Sequence, residues 1–193
     1  MTYLVAGLLV FLGVHSVRIF ADGWRTARIA AMGLNAWKGL YTLASLAGFA
    51  LIVYGYGLSR EAPVVDLWMP PAWTRHLAAL LTLPAFVLIA AAYVPGTHMK
   101  AKLGHPMVAG VKSWALAHLL ANGRLGDVLL FGGFLVWSML DFRASRQRDR
   151  AQGTTYPAVG ASRDILAVVA GVVAYAVFAL WLHGPLIGVR PFG

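Results

Sequence analysis

The chain has no cysteine among its 193 residues and only seven acidic side chains. The first absence excludes disulfides, thiolate metal sites, thiolate haem ligation, cysteine nucleophiles and the CxxCH attachment of c-type haem. Charge of either sign is scarce, at 12% of residues, against 60% hydrophobic residues and a mean hydropathy of +0.71. One soluble domain could not bury that much apolar surface, so the chain needs lipid as its solvent. There is also no Gly-rich phosphate loop, no internal repeat and no convincing Ser/His/Asp set. The N-terminal run lacks a basic n-region and a small-residue cleavage site, and reads as a retained first span.

What is present is a series of apolar runs, at about Tyr3 to Phe20, Gly39 to Leu58, Leu77 to Val94, Met107 to Asn122, Leu125 to Leu140 and Ile165 to Leu182. Each can cross a hydrocarbon core of roughly 30 Å at about 1.5 Å per residue. The expected fold is all-α, a polytopic transmembrane helix bundle of about six spans, forming one membrane domain over 1–193. Pro84 is expected to kink the third span.

The connections alternate in charge. Arg18, Arg25, Arg28, Lys38, Lys100, Lys102, Lys112, Arg143, Arg146, Arg148, Arg150 and Arg163 fall on one side, and Arg60, Arg75, Arg124 and Arg190 on the other. The positive-inside rule then places both termini outside, on the periplasmic face of a bacterial inner membrane, with a basic cytoplasmic loop at about 143–163. The basic residues flank apolar runs instead of forming a patch, so the formal charge of +9 points to anionic lipid and not to nucleic acid. Trp68, Trp73 and Trp181 mark the outer boundary and Trp24 and Trp37 the inner one.

An ionisable side chain within the apolar zone is costly and faces the bundle interior. His15 and His118 fit this best. Counted from their span ends, both lie about 14 to 18 Å from the outer boundary. Two neutral imidazoles on different helices form a candidate axial pair for the iron of a non-covalently held haem b. Arg18, one turn below His15 on the same face, is the candidate partner for a haem propionate, while Trp114 and Asn122 share the face of His118. The plain alternative is that each histidine hydrogen-bonds a neighbouring helix. His76 and His183 fall at the outer boundary and His98 and His105 at the inner one, where water satisfies them. Pairings of an outer histidine with His118, or of His15 with His105, are the lesser options. Asp127, at the start of the fifth span, is expected to cap its helix and pair with Arg124.

Several strings together carry a resemblance: Gly13-Val14-His15-Ser16-Val17-Arg18, Trp37-Lys38-Gly39-Leu40-Tyr41, Trp73-Thr74-Arg75-His76, Gly104-His105-Pro106-Met107, and Trp114-Ala115-Leu116-Ala117-His118-Leu119-Leu120-Ala121-Asn122-Gly123. To about Arg150 the chain resembles the NnrU family of bacterial membrane proteins. That resemblance implies a role in denitrification, beside nitrite and nitric oxide reductase systems. The family is in turn similar to the 15-cis-zeta-carotene isomerases, haem b membrane enzymes whose histidine ligands match His15 and His118. Their redox-linked ligand switch uses a cysteine for which this chain has no counterpart, Ala115 standing in that neighbourhood.

The string from Gly104 to Gly110 also faintly resembles isoprenylcysteine-type membrane methyltransferases, which bind S-adenosylmethionine, but Gly104 replaces their arginine and their acidic segment is missing. The leading expectation is an NnrU-type protein that binds one b-type haem through His15 and His118 and supports nitrogen-oxide metabolism. Its expected partners are lipid, a small gaseous or apolar ligand such as nitric oxide, and a partner membrane protein. The competing expectations are a haem-dependent polyene isomerase, a cofactor-free membrane scaffold and a methyltransferase relative.

Overall fold

A computed structural model describes Met1–Glu61, Pro63 and Val65–Phe192. The chain is all-helical, as its composition requires. The elements are α1 (Thr2–Phe20), α2 (Asp22–Met32), α3 (Leu34–Glu61), α4 (Thr74–Tyr93), α5 (His98–Leu103), α6 (Pro106–Ala121), α7 (Leu125–Gln152) and α8 (Ala161–Val177). A π-helical turn at Phe178–Leu182 then leads into α9 (His183–Ile187). Among the described residues the strand-like pairing is an isolated bridge between Asp66 and Arg124.

Among the described residues five stretches are long and apolar enough to cross a membrane: α1, α3, α4, α7, and α8 continued to Ile187. The expected fourth span corresponds to α6, which is apolar but has 16 residues. Its packing accounts for it. Gly110 lies against the Ala85 carbonyl and Ile89, and Ser113 donates from Oγ to the Leu81 carbonyl at 2.8 Å. Rising numbers on α6 thus meet falling numbers on α4, so α6 runs back antiparallel beside a helix of spanning length.

The chain divides into two compact units, 1–69 with 123–141, and 70–122 with 142–193. In the first, α1, α3 and the first half of α7 pack together. α1 and α3 are antiparallel and nearly touch along a glycine seam. A Cβ on Gly7 would lie 2.6 Å from the Ile52 backbone nitrogen, and one on Gly48 would lie 2.8 Å from that of Phe11. Without water to drive association, such close backbone approach is what holds membrane helices together. Leu8 and Leu12 meet Gly133, and Phe11 meets Phe134, so α1 and α7 run parallel. One end is fixed by Asp127, 5% exposed, which accepts from the Tyr56 hydroxyl at 2.7 Å and from the Arg124 backbone N–H at 3.3 Å. The capping role expected of Asp127 is present, but the Arg124 guanidinium turns to Asp66, 3.9 Å away.

In the second unit α4 packs between α6 and α8. Pro84, inside α4, has no N–H to give to the preceding turn. Neighbouring side chains bond carbonyls of that turn, Ser113 at Leu81 and Tyr175 at Ala79. Pro95 stops α4, and Gly96 with φ of 79° turns the chain. Thr97 then caps α5 through its Oγ1, and Asp164 of α8 accepts from the His98 and Met99 backbone N–H groups and from His98 Nδ1.

The stretch expected as a basic loop, its start continuing the fifth helix, is helical through Gln152, since Arg143 to Gln152 contains no breaker before Gly153. Four of its arginines therefore extend α7. The segment Ala21 to Trp37, expected as a connection, likewise contains α2, with Gly33 at φ of 84° turning the chain into α3.

Candidate functional site

His15 and Arg18 belong to the first unit and His118 to the second. Each histidine sits on a long helix with the same local geometry. Nδ1 of His15 lies 2.7 Å from the Phe11 carbonyl, and Nδ1 of His118 lies 2.9 Å from the Trp114 carbonyl. A carbonyl oxygen can only accept, so Nδ1 carries the proton in both rings, and in the neutral imidazole the basic lone pair is on Nε2. This is the arrangement by which proteins orient a histidine that ligates a metal through Nε2.

The His15 ring is framed by aromatic side chains. Phe11 stacks on it at 4.2 Å, Tyr41 lies 5.2 Å away, and Trp137 meets it edge-on at 6.0 Å. Trp137 belongs to α7, and its buried indole N–H has no hydrogen-bond partner among the described residues. Trp137 also lines an open cleft of about 450 Å³ walled by Leu12, Val128, Val136 and Leu140, with Ser16 as its other polar side chain and Gly132 and Gly133 on its floor. An indole N–H in apolar surroundings normally finds a partner, so a hydrogen-bond acceptor is called for beside His15. Arg18 is half exposed and lies 4.0 Å from Asp22, one turn further along.

On α6, Trp114 stands 5.2 Å from the His118 ring, and the Asn122 amide donates to the His118 carbonyl at 2.8 Å. The aromatic and amide neighbours expected on this face are in place. Among the other histidines, His105 and His98 are bound to carboxylates, at 2.9 Å from Asp149 and 2.6 Å from Asp164. The Nδ1 of His183 donates to the Val189 carbonyl at 2.6 Å.

These placements put His15 on a helix of membrane-crossing length and His118 on the shorter α6, and the chain matches a known family over residues 3–191, under the description NnrU protein. The chain belongs to the NnrU family. The match extends past Arg150 through α8, so the whole bundle, and not only its motif-bearing part, has the character of an NnrU protein. No curated protein and no solved structure matches this NnrU chain.

Trp137 and Tyr41 are the neighbours of His15 that sequence reading missed. The signal available for Trp137 was a polar-tipped aromatic four residues after Gly133, in a helix otherwise smooth on that side. Nothing in the sequence ties Asp149 to His105, since they lie 44 residues apart.

Proposed function

We propose that this NnrU protein binds a b-type haem, for which His15 and His118 would supply the nitrogen ligands, in support of nitrogen-oxide metabolism at the bacterial inner membrane. The observation that carries the reading is the paired histidine geometry: in both rings a backbone carbonyl four residues earlier accepts from Nδ1–H, the tautomer in which Nε2 bears the basic lone pair. Among the described residues no three His, Asp or Glu side chains gather as a metal-binding group. A bound haem would supply one-electron or small-ligand chemistry. The protein's own contribution is to fix both imidazole tautomers and to surround His15 with aromatic rings. Trp137 adds a buried donor there, and Arg18 a cation for a propionate.

The test is optical. His15→Ala and His118→Ala, each purified in detergent from haem-supplied cells, are expected to lose the low-spin six-coordinate spectrum, while His76→Ala keeps it. Retention of the wild-type spectrum in either ligand variant would remove that histidine from the assignment.

The open apolar cleft beside Trp137 favours one further reading, an apolar ligand such as a polyene on which a haem-dependent isomerase could act. Filling it with Gly132→Phe, where an added Cβ meets nothing within 4 Å, would block such a ligand.

We also infer that both termini face the periplasm. In the first unit α1 and α3 run opposite ways and α7 runs with α1. In the second α6 and α8 both oppose α4. These directions fit six crossings, with the twelve basic residues named above on the cytoplasmic side. Because the chain is free of cysteine, single introduced cysteines report topology cleanly. In intact spheroplasts Met69→Cys, at an 87% exposed position, is expected to react with an impermeant maleimide, and Gln152→Cys only after lysis. The reverse pattern would invert the protein.

A further inference from the structure

The second unit contains a mostly apolar cavity with a few polar groups that the haem reading does not use. It has a volume of about 280 Å³ and is lined by Ala92, Lys100, Gly104, His105, Met107 and Tyr156, among others. Its wall is assembled from segments far apart in sequence. Asp149 of α7 accepts from His105 Nε2 at 2.9 Å through one carboxylate oxygen, and from the Tyr156 hydroxyl at 3.1 Å through the other. Gly104, at φ of 73°, makes this assembly fit: a Cβ there would lie 3.0 Å from Arg146 Nη1 and 3.1 Å from Asp149 Oδ2.

Both oxygens of Asp149 are thus engaged by His105 and Tyr156. Lys100 is left with the Ala92 carbonyl at 3.5 Å and the face of the Tyr156 ring at 5.8 Å. Among the described residues it forms no ion pair with a carboxylate. Lys100 is the permanent cation among the lining residues, and Arg146 stands close by at Gly104. A cavity lined by a lysine and by no carboxylate, its ammonium held by little else, has the electrostatics of an anion site.

We propose that this cavity binds a phosphate-type anion, with Lys100 as its principal cation. At about 280 Å³ it is smaller than the roughly 300–1,000 Å³ of clefts that hold drug-sized molecules. It therefore takes a compact group: free phosphate, a small phosphomonoester or the head group of an anionic lipid. The proposal is independent of the haem.

The experiment follows the thermal unfolding midpoint of the full chain in detergent, titrated with inorganic phosphate against sodium chloride at matched ionic strength. Wild type is expected to show a saturable rise with phosphate alone. Lys100→Gln should raise the half-saturating concentration about tenfold or more, whereas Lys102→Gln, an exposed neighbour outside the cavity, leaves it unchanged. Met107→Trp, which fills the cavity but keeps every charge, should abolish the rise even if Lys100→Gln folds poorly.

Nanodiscs of phosphatidylcholine with and without phosphatidic acid separate the two sources. If a lipid head group fills the site, phosphatidic acid raises the midpoint in wild type but not in Lys100→Gln, and it removes the response to free phosphate. If free phosphate is the ligand, that response persists in both lipids. A phosphate effect no larger than that of chloride, together with no Lys100-dependent effect of phosphatidic acid, would overturn the proposal. So would equal losses in Lys100→Gln and Lys102→Gln.

Discussion

Gly55→Leu is expected to destroy the packing of the first unit. A Cβ at this position would fall on the backbone nitrogen of Leu4 and 2.6 Å from the Tyr3 carbonyl carbon. The obstacle is main chain, which cannot rotate aside, so relief comes only by parting α1 from α3. Overpacking a core costs about 1–3 kcal/mol where side chains can give way. Here it should exceed about 3 kcal/mol, because parting the helices also forfeits the close approach at Gly7 and Gly48. We expect the variant to lose its monodisperse peak in size-exclusion chromatography and its cooperative unfolding transition. Gly57→Leu, at a position where a Cβ meets nothing within 4 Å, should keep both. Equal behaviour of the two variants would show that the seam does not hold the unit together.

Asp127→Ala is the second large effect. The carboxylate is 5% exposed and serves the Tyr56 hydroxyl and the Arg124 N–H that opens α7. Its removal forfeits a helix cap worth about 1 kcal/mol and strands a buried hydroxyl at a further cost of about 1–3 kcal/mol. A destabilisation of about 2–4 kcal/mol follows from these two losses. Tyr56→Phe breaks the same bond from the other side and leaves the cap intact, so its loss should be smaller. The pair should be clearly non-additive in a double-mutant cycle, since both changes remove one shared bond. Additive losses would place Tyr56 and Asp127 in separate roles.

The spans were legible because the hydrophobic requirement of a bilayer is written in composition. The runs at Tyr3, Leu77 and Leu125 begin within three residues of α1, α4 and α7. Partner choice was not legible. A membrane helix is apolar all round, so α1 carries no mark that it packs on α3 and α7, or α4 that it packs on α6 and α8; fine packing of residues such as Gly55 and Gly171 decides this.

Polar groups at the helix ends were legible only where the bond is local. The Asp127 cap spans three residues and was readable, while the Tyr56 to Asp127 bond spans 71. The Asp66 to Arg124 pair was hidden for the same reason. His15 and His118 stood out because histidine is expensive in lipid. The proton on each Nδ1 required coordinates, as did the unpartnered indole of Trp137 beside His15.

The central claim is that the two histidines hold a haem, and its most direct measurement is the reduced-minus-oxidised absorption spectrum of the wild-type chain, purified in detergent from haem-replete cells, with haem quantified per chain. The account predicts the sharp bands of a six-coordinate b-type haem at one per chain. A protein that stays folded and monodisperse yet shows no Soret band, even after incubation with haem, would contradict it.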